Sequence, residues 1–240
     1  MCNNGVSTVD PRKVGVISEE QRALNRALHE RNSNFGNRDD GAGFAGDQLT
    51  KALMRMHELG ICNSFLDYGT GKGKLVQKLR SQINSGIKIT GYDPAVEEWE
   101  NKPNEASDIL SCLDVLEHIE HSSIDDVLKD IHNLTRRFCY LVIDLQPAVK
   151  KLEDGRNAHI LLAPTDWWIG KIAQHFTCQA SFPVFHNRGI AQKLVVAGAH
   201  NANDLPFMYG FLNKLKLYDM TMAGGTLGTI KKKKKQQNEA

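Results

Sequence analysis

One glycine-rich segment, Phe65 to Gly73, constrains the fold of this chain more than any other feature. An apolar run ends in Asp67, and three glycines then follow in the order G-x-G-x-G before the pattern becomes helical. This order predicts a buried strand, a tight turn and the start of a helix. Glycine lets a backbone take positive φ and approach a ligand closely, and the free amides at a helix start favour electron-rich groups. The segment is therefore typical of a loop that binds a nucleotide-like cofactor.

The spacing of these glycines separates the loop from two other nucleotide motifs. The dinucleotide fingerprint G-x-G-x-x-G requires a glycine at the position that Lys74 occupies. The phosphate-binding sequence G-x-x-x-x-G-K-[ST] does not occur in the chain. A second carboxylate, Asp93, follows twenty residues after the last glycine, at the end of another apolar run.

Together these features resemble the class I S-adenosylmethionine-dependent methyltransferases. The segment from Leu113 to Ile119, L-D-V-L-E-H-I, is similar to one that follows the fourth strand in many of these enzymes. The stretch at 154–159 and the pair Trp167-Trp168 are similar to a subgroup of small bacterial and phage methyltransferases. The resemblance covers roughly residues 62–200.

The resemblance implies that S-adenosyl-L-methionine is the cofactor and indicates which residues bind it. In this family the glycine turn admits the methionine part, Asp67 would contact the methionine amino group, and Asp93 would hold the ribose. The full predicted set is Asp67, Tyr68, Gly69, Thr70, Gly71, Gly73, Asp93, Pro94, Leu113 and Asp114. Ligands of an open parallel sheet bind outside the carboxyl ends of its strands, so one crevice can collect the carboxylates at 67, 93 and 114.

Two histidines, His118 and His159, are predicted to act on the methyl acceptor. A hydroxyl or amine nucleophile must lose a proton, and a neutral imidazole near pH 7 suits that task; a plain polar surface position is the alternative for each. The residues predicted to contact the substrate are Phe35, Glu117, Arg156, Asn157 and Trp168. For Trp168 the alternative is the hydrophobic core, and for Phe35, with Phe44, the alternatives are a lid over the cofactor and a plain surface loop.

No metal site is predicted. The pair His118 and His121 lacks the glutamate and the spacing of H-E-x-x-H, and two histidines do not complete a site of three or four ligands.

The alternation of predicted strands and helices indicates an α/β fold with a doubly wound, mostly parallel, Rossmann-like sheet. The runs 178–185 and 191–198 flank a turn and predict a C-terminal antiparallel hairpin that places a reversed strand at one edge. The stretch 94–107, with two prolines, is too short for a full helix and a further strand. The predicted organisation is a disordered N-terminus (1–17), a helical cap (18–60), the methyltransferase domain (61–200), a C-terminal helix (201–222) and a disordered Lys-rich tail (223–240).

Composition limits the partners and the location. Residues 1–230 carry 25 Lys and Arg against 27 Asp and Glu, so weak nucleic-acid contact would come through the lysine run 231–235. Five cysteines without C-x-x-C spacing favour neither a disulfide framework nor a zinc site. The chain shows no secretion signal and no apolar run near the roughly 20 residues that cross a bilayer. The sequence therefore predicts a cytoplasmic protein with no membrane contact.

From the sequence we expect methyl transfer to a hydroxyl or amine of a small molecule or sugar-like acceptor. A nucleic-acid methyltransferase remains open, because ribose and RNA methylation require neither the D-P-P-Y-like motif nor the Pro-Cys nucleophile that this chain lacks. The fold would also serve a non-catalytic protein that binds S-adenosylmethionine. A nicotinamide dehydrogenase is a third alternative, against which Lys74 argues.

Overall fold

The structure, a computed structural model, describes residues 16–37, 47–84, 86–185 and 190–215. These residues form one six-stranded sheet with helices on both faces. The strands are β1 (Ser64–Tyr68), β2 (Lys88–Tyr92), β3 (Ser107–Leu113), β4 (Thr135–Asp144), β5 (Cys178–Phe185) and β6 (Ala191–Ala199). The helices are α1 (Glu19–Arg31), α2 (Gln48–Glu58), α3 (Lys74–Gln82), α4 (Ile124–Leu134), α5 (Thr165–Ala173) and α6 (Leu205–Lys214).

The strands are arranged in the order β2-β1-β3-β4-β6-β5. The first four are parallel to one another, and β6 runs antiparallel to both of its neighbours. This arrangement confirms the doubly wound, mostly parallel sheet with C-terminal antiparallel strands. The reversed strand, however, lies inside the sheet, and β5 forms the edge. Pro183 explains the difference, because a proline cannot donate to a ladder and suits an edge strand, whereas β6 is buried along most of its length.

Two hydrophobic layers hold the helices against the sheet. Helices α2, α3 and α6 pack on one face around Phe65 and Phe138, and α4 and α5 pack on the other around Leu110 and Trp168. Each of these side chains is fully buried, and burial of a large apolar side chain contributes roughly 1.5–3 kcal/mol. Within the described ranges, no helix combines the length and the apolar character that crossing a bilayer requires.

The N-terminal helix covers the carboxyl edge of the sheet. The Ser18 side chain accepts a hydrogen bond from the Gln21 amide (3.1 Å), as the capping pattern predicts, and its hydroxyl donates to Glu120 beyond β3 (2.6 Å). Leu28 packs with Leu152 and Ala158 of the long loop after β4. Residues 1–15 and 216–240, which contain nearly all of both tails predicted to be disordered and the end of the predicted helix 201–222, lie outside the described residues.

A short connection joins β2 to β3. Between these strands the chain forms one 3₁₀ turn, Glu97–Trp99, and no further strand. The brevity expected for residues 94–107 therefore shortens the sheet by one strand on this side and leaves β2 at its edge.

Candidate functional site

A cavity of about 520 Å³ opens at the carboxyl ends of the parallel strands. Its volume lies within the range of small-molecule sites. The predicted site residues that line it are Phe35, Asp67, Tyr68, Gly69, Thr70, Gly71, Asp93, Pro94, Leu113, Asp114, His118 and His159. The strand ends therefore bring both predicted groups, the cofactor residues and the histidines, to one enclosed space.

Backbone hydrogen bonds fix the glycine turn against the end of β2. The amides of Gly69 and Thr70 donate to the carbonyl of Tyr92 (2.7 and 3.1 Å), and the amide of Gly71 donates to Asp93 Oδ2 (2.9 Å). Gly69 and Gly71 both have positive φ, 76° and 56°. A Cβ atom at Gly71 would lie 2.4 Å from the carbonyl oxygen of Gly36. Glycine is required here by conformation and by space.

The third glycine of the motif has a different role from the one predicted. Gly73 does not line the cavity; it is the residue before α3, with φ of 72°. A Cβ atom there would lie 2.3 Å from the indole ring of Trp99. Gly73 therefore allows the turn to pack against the β2–β3 connection.

Two buried carboxylates face the cavity at the glycine turn. Asp67 Oδ1 accepts a hydrogen bond from the hydroxyl of Ser111 (2.7 Å), and burial raises the pKa of Asp67 to about 6 although this hydrogen bond opposes the shift. Asp93 accepts from Gly71 through Oδ2 and from the amide of Ala95 through Oδ1 (2.9 Å each). Each carboxylate oxygen has two lone pairs, so both side chains keep acceptor capacity for a ligand.

Phe35 covers the cavity from the loop after α1. The amide of Lys72 donates to the carbonyl of Gly36 (2.6 Å), which ties this loop to the glycine turn. The Phe35 ring lies between the rings of His29 and His118, with centroid separations of 4.7 and 5.4 Å. The structure thus places Phe35 at the cavity, whereas Phe44 lies outside the described residues.

The two predicted histidines meet at the other end of the cavity, with ring centroids 4.8 Å apart. His118 Nδ1 lies 2.7 Å from the carbonyl oxygen of Ala158, and His159 Nδ1 lies 2.5 Å from that of Gln146. Because a carbonyl oxygen only accepts, Nδ1 carries the proton of each neutral ring and Nε2 keeps a lone pair. Burial, with the neighbouring His159, lowers the pKa of His118 to about 3. His118 is therefore neutral at pH 7 but accepts a proton more weakly than the sequence alone suggests.

Glu117 lies directly behind these histidines and is fully buried. Its Oε1 accepts a hydrogen bond from the amide of Asp144 (3.2 Å) and lies 4.0 Å from His159 Nε2. Its Oε2 is buried and has no hydrogen-bond partner among the described residues. Burial, followed by the charge of Asp114, raises the pKa of Glu117 well above its usual value.

A buried lysine on β6 completes this end of the cavity, and the sequence analysis missed it. Lys193 Nζ lies 2.6 and 2.5 Å from the two carboxylate oxygens of Asp114 and 3.6 Å from Asp144 Oδ2. Asp114 has φ of 55°, an uncommon value for a residue with a side chain. A lysine within an apolar strand was the available signal, because lysine is rarely buried without a partner. The other lining residues that were not predicted include His29, Asp144, Lys150 and Gln192.

Three residues predicted to contact substrate do not line the cavity. Arg156 pairs with Asp154 at the surface (2.6 Å). Asn157 binds both the amide and the carbonyl of Ala148 (2.9 and 2.8 Å) and so shapes the loop that carries His159. Trp168 is fully buried in the core, which was the alternative for this residue, because its side of α5 faces the sheet.

Several solved methyltransferases are similar to this chain at low identity, whereas no curated protein sequence matches it. A 1,6-didemethyltoxoflavin N1-methyltransferase of Burkholderia thailandensis is 20% identical, with 80% of this chain and 92% of that chain covered and a TM-score of 0.48. The magnesium protoporphyrin IX methyltransferase of Synechocystis is 14% identical, with 75% and 100% covered and a TM-score of 0.49. A methyltransferase of Archaeoglobus fulgidus is 13% identical, with 65% and 96% covered and a TM-score of 0.42.

The family follows from the sequence match. A model of the methyltransferase domain family matches residues 18–183, which span more than half of the chain and contain the glycine turn, both carboxylates and both histidines. The chain belongs to this methyltransferase family and is a class I enzyme that uses S-adenosyl-L-methionine.

Proposed function

We propose that this enzyme transfers a methyl group to a hydroxyl or amine of a small molecule or sugar-like acceptor that binds at the histidine end of the cavity. One observation carries the proposal: the glycine turn and the His118–His159 pair line the same enclosed space. An acceptor held by the histidines would therefore face a cofactor held by the turn. Holding two reactants in line supplies much of the catalysis of such a transfer.

The residues at the glycine turn fit the cofactor. S-adenosyl-L-methionine supplies a methyl group that is already activated on a sulfonium. We propose that the buried carboxylate of Asp67 receives the cationic amino group, because a desolvated carboxylate is stabilised by a nearby positive charge. Asp93 keeps lone pairs for ribose hydroxyls while its bonds to Gly71 and Ala95 hold it in place.

The lining of the cavity favours a small acceptor over a polymer. The volume of about 520 Å³ is shared by the cofactor and the acceptor, and Phe35 covers the space. Four aspartates (67, 93, 114 and 144) and two lysines (150 and 193) line the cavity, and this excess of carboxylates disfavours the phosphates of a nucleic acid. At the histidine end, we propose that the Nε2 lone pairs of His118 and His159 accept the hydrogen bond of a hydroxyl or amine.

The location and the remaining contacts are also proposals. Cys62, Cys112 and Cys139 are buried free thiols, which suits the reducing environment of the cytoplasm. Weak nucleic-acid contact through the lysine run 231–235 is a further proposal, and those residues lie outside the described part of the chain.

The test follows the methyl group. The full-length protein is incubated with S-adenosylmethionine labelled in the methyl group and with cell extract that has been separated into dialysable molecules, nucleic acids and proteins. We expect a labelled dialysable product that chromatography separates from the unreacted cofactor, and less of this product with the Asp93→Asn variant when the cofactor is limiting. Label confined to nucleic acid or protein would contradict the proposed acceptor class. Binding of S-adenosylhomocysteine without any labelled product would instead indicate a non-catalytic protein.

A further inference from the structure

Three side chains at the histidine end have the composition of a metal site. Glu117, His118 and His159 each place one potential ligand atom within 4.8 Å of those of the other two. Two of them line the cavity and the third is buried directly behind it. Two imidazoles and one carboxylate on one side of a metal form the arrangement found in sites that keep further positions open for substrate.

The hydrogen bonds of both histidines orient them as ligands. Each ring directs Nδ1 to a backbone carbonyl, that of Ala158 for His118 and that of Gln146 for His159. Metal-binding histidines in proteins almost always donate their second ring N–H to a carbonyl, carboxylate or water, which fixes the tautomer and the ring orientation. In both residues the atom that remains is Nε2, which carries the lone pair that a cation requires.

The third side chain has an unexplained buried oxygen. Glu117 Oε2 has no hydrogen-bond partner among the described residues, although the side chain is fully buried. Leaving a buried acceptor without a hydrogen bond is unfavourable, because the atom has lost its water. Oε1 is used by the amide of Asp144, and Lys193 is directed to Asp114 and Asp144. A cation bound by Glu117 would satisfy Oε2. It would also offset the negative charge of the carboxylates at 114, 117 and 144, which outnumber the one ammonium group of Lys193.

We propose that Glu117, His118 and His159 bind one divalent first-row transition-metal ion. Imidazole ligands favour Fe²⁺, Ni²⁺ or Zn²⁺ over Ca²⁺ and Mg²⁺, which prefer sites made of oxygen, and the carboxylate also suits Mn²⁺. Metal–ligand bonds of about 2.1 Å place neighbouring ligand atoms roughly 3.0–3.5 Å apart. The three candidate ligand atoms lie within 4.8 Å of one another, so they need to approach by up to roughly 1–2 Å on binding.

This inference rests on the proposed function for its role in the reaction, and it deepens that function. The ion would bind the acceptor oxygen at an open position, replace its direct hydrogen bonds to the histidines and lower the pKa of the hydroxyl. That oxygen then forms the bond to the methyl carbon as the carbon–sulfur bond breaks, the electron pair of that bond stays on sulfur, and the hydroxyl proton passes to solvent water. An acceptor with an oxygen ligand for the metal is therefore favoured over an amine.

The proposed site differs from the expectation, drawn from the sequence, that the chain has no metal site. That expectation considered His118 with His121, but His121 is exposed and its ring lies against Trp167, 5.7 Å between centroids. The partner of His118 is His159, 41 positions later in the sequence, which the loop after β4 brings to the cavity. The spacing of H-x-x-H in the sequence therefore does not identify the partner of His118.

The test measures metal binding directly. Full-length protein without an affinity tag is stripped with a chelator and titrated with Mn²⁺, which thiolates bind weakly compared with Zn²⁺, and free Mn²⁺ is followed by electron paramagnetic resonance. We expect one bound ion per chain. Glu117→Gln and His159→Gln should each weaken binding by at least about a hundredfold, the upper end of the loss caused by removing even an outer-shell partner. His121→Gln is the matched control and should bind Mn²⁺ as the unmodified protein does.

Calorimetry with S-adenosylhomocysteine on the same samples separates this inference from the proposed function. Retained cofactor binding with no bound Mn²⁺, or equal Mn²⁺ affinity in all variants, would overturn the metal site alone. One bound ion without transfer to any small acceptor would overturn the proposed function and leave the site intact. If Glu117→Gln does not fold, His159→Gln decides the result, because the His159 side chain is less deeply buried.

Discussion

The two ends of the cavity are built in opposite ways. At the cofactor end, the glycine turn and the residues after β2 lie close in the structure because β1 and β2 are adjacent, and backbone amides make most of the hydrogen bonds. At the histidine end, side chains arrive from β3, from the loop after β4 and from β6, and they are held by long-range contacts. One end is a local turn with fixed geometry, whereas the other depends on three separate segments.

This difference determines how each end should respond to mutation. The cofactor end has little room, because its glycines touch neighbouring backbone and side chains, so small added volume should be costly there. The histidine end holds several charges and an unsatisfied carboxylate oxygen, so its behaviour should depend on ligands more than on packing. The predictions below test this contrast.

The largest effect is expected at Gly71. Gly71→Ala would place a methyl group 2.4 Å from the carbonyl oxygen of Gly36, so the turn must move away from the loop that covers the cavity. We expect binding of S-adenosylhomocysteine to weaken by at least about a hundredfold, which is roughly 2.7 kcal/mol, as measured by calorimetry.

Gly60→Ala is the matched control for strain. Gly60 also has positive φ, 71°, but a Cβ atom there meets nothing within 4 Å. In both variants an alanine takes the left-handed conformation, which costs about 1–2 kcal/mol. Only Gly71→Ala also places a methyl group against the carbonyl oxygen of Gly36. Equal cofactor affinity in the two variants would show that the turn is not tightly packed.

The next effect concerns the carboxylate at the end of β2. Asp93→Asn removes the charged carboxylate that accepts hydrogen bonds from the amides of Gly71 and Ala95. The same carboxylate is expected to hold the ribose. We expect cofactor affinity to fall by at least about tenfold, because hydrogen bonds to a charged group contribute roughly 1.5–3 kcal/mol and about 1.4 kcal/mol is a factor of ten. Calorimetry with S-adenosylhomocysteine measures the loss.

Asp108→Asn provides the comparison at the other end of the sheet. Asp108 is also buried and also accepts backbone amides, those of Asn63 and Ser64 (2.8 and 3.0 Å), but it does not line the cavity. The Asp108→Asn variant should have a lower free energy of unfolding and an unchanged cofactor affinity. An equal loss of affinity in both variants would mean that Asp93 acts only through stability.

Asp67 should give binding and stability opposite dependences on pH. Its pKa is about 6 in the folded protein against an ordinary value of 3.8, so it is ionised above pH 6 and protonated below. Affinity for S-adenosylhomocysteine should fall by up to about tenfold per pH unit below pH 6, because the partner of the cationic amino group is lost. Calorimetry between pH 5 and pH 7.5 would show this fall, and Asp67→Asn should bind weakly at every pH.

Stability should change in the other direction. A carboxyl whose pKa is raised by folding keeps its proton up to a higher pH in the folded state than in the unfolded state. Its unfavourable contribution to the free energy of unfolding therefore grows as the pH rises from about 4 to about 6 and is constant above that. Asp67→Asn removes it and should raise the free energy of unfolding at pH 7 by up to about 3 kcal/mol. Urea unfolding at pH 7 measures this gain, and a less stable variant would contradict the assigned burial of charge.

The contrast between the two ends also explains what could be predicted from the sequence. The glycine turn, Asp67 and Asp93 were predictable because a short motif and two strand ends fix them, and strands end where apolar runs end. The position of β6 could not be predicted, because β5 and β6 are similar strands. Pro183 decides which of the two lies at the edge of the sheet.

The histidine end could be predicted only in part. His118 belongs to a motif, but its partner was not determined by spacing. His118 donates to the carbonyl of Ala158 and His159 to that of Gln146, and both carbonyls belong to loop 145–163, which brings His159 to the cavity. Lys193 is anomalous in an apolar strand, yet its pairing with Asp114 depends on the antiparallel register of β4 and β6. Trp168 gave a misleading signal, because an aromatic side chain fits a core and a pocket equally well.

The smallest effect is expected at Arg156, next to a residue that should matter. Arg156→Ala removes a half-exposed guanidinium that pairs with Asp154, and exposed pairs contribute about 0.2–1 kcal/mol, so methyl-transfer activity should stay within about twofold. Asn157→Ala leaves the amide and carbonyl of Ala148 without their partner and should destabilise the protein by roughly 1–3 kcal/mol. Activity assays and thermal unfolding of both variants measure the difference. A large loss of activity with Arg156→Ala and unchanged stability would return this arginine to the substrate site, and would mean that loop 145–163 closes further over the cavity when the acceptor binds.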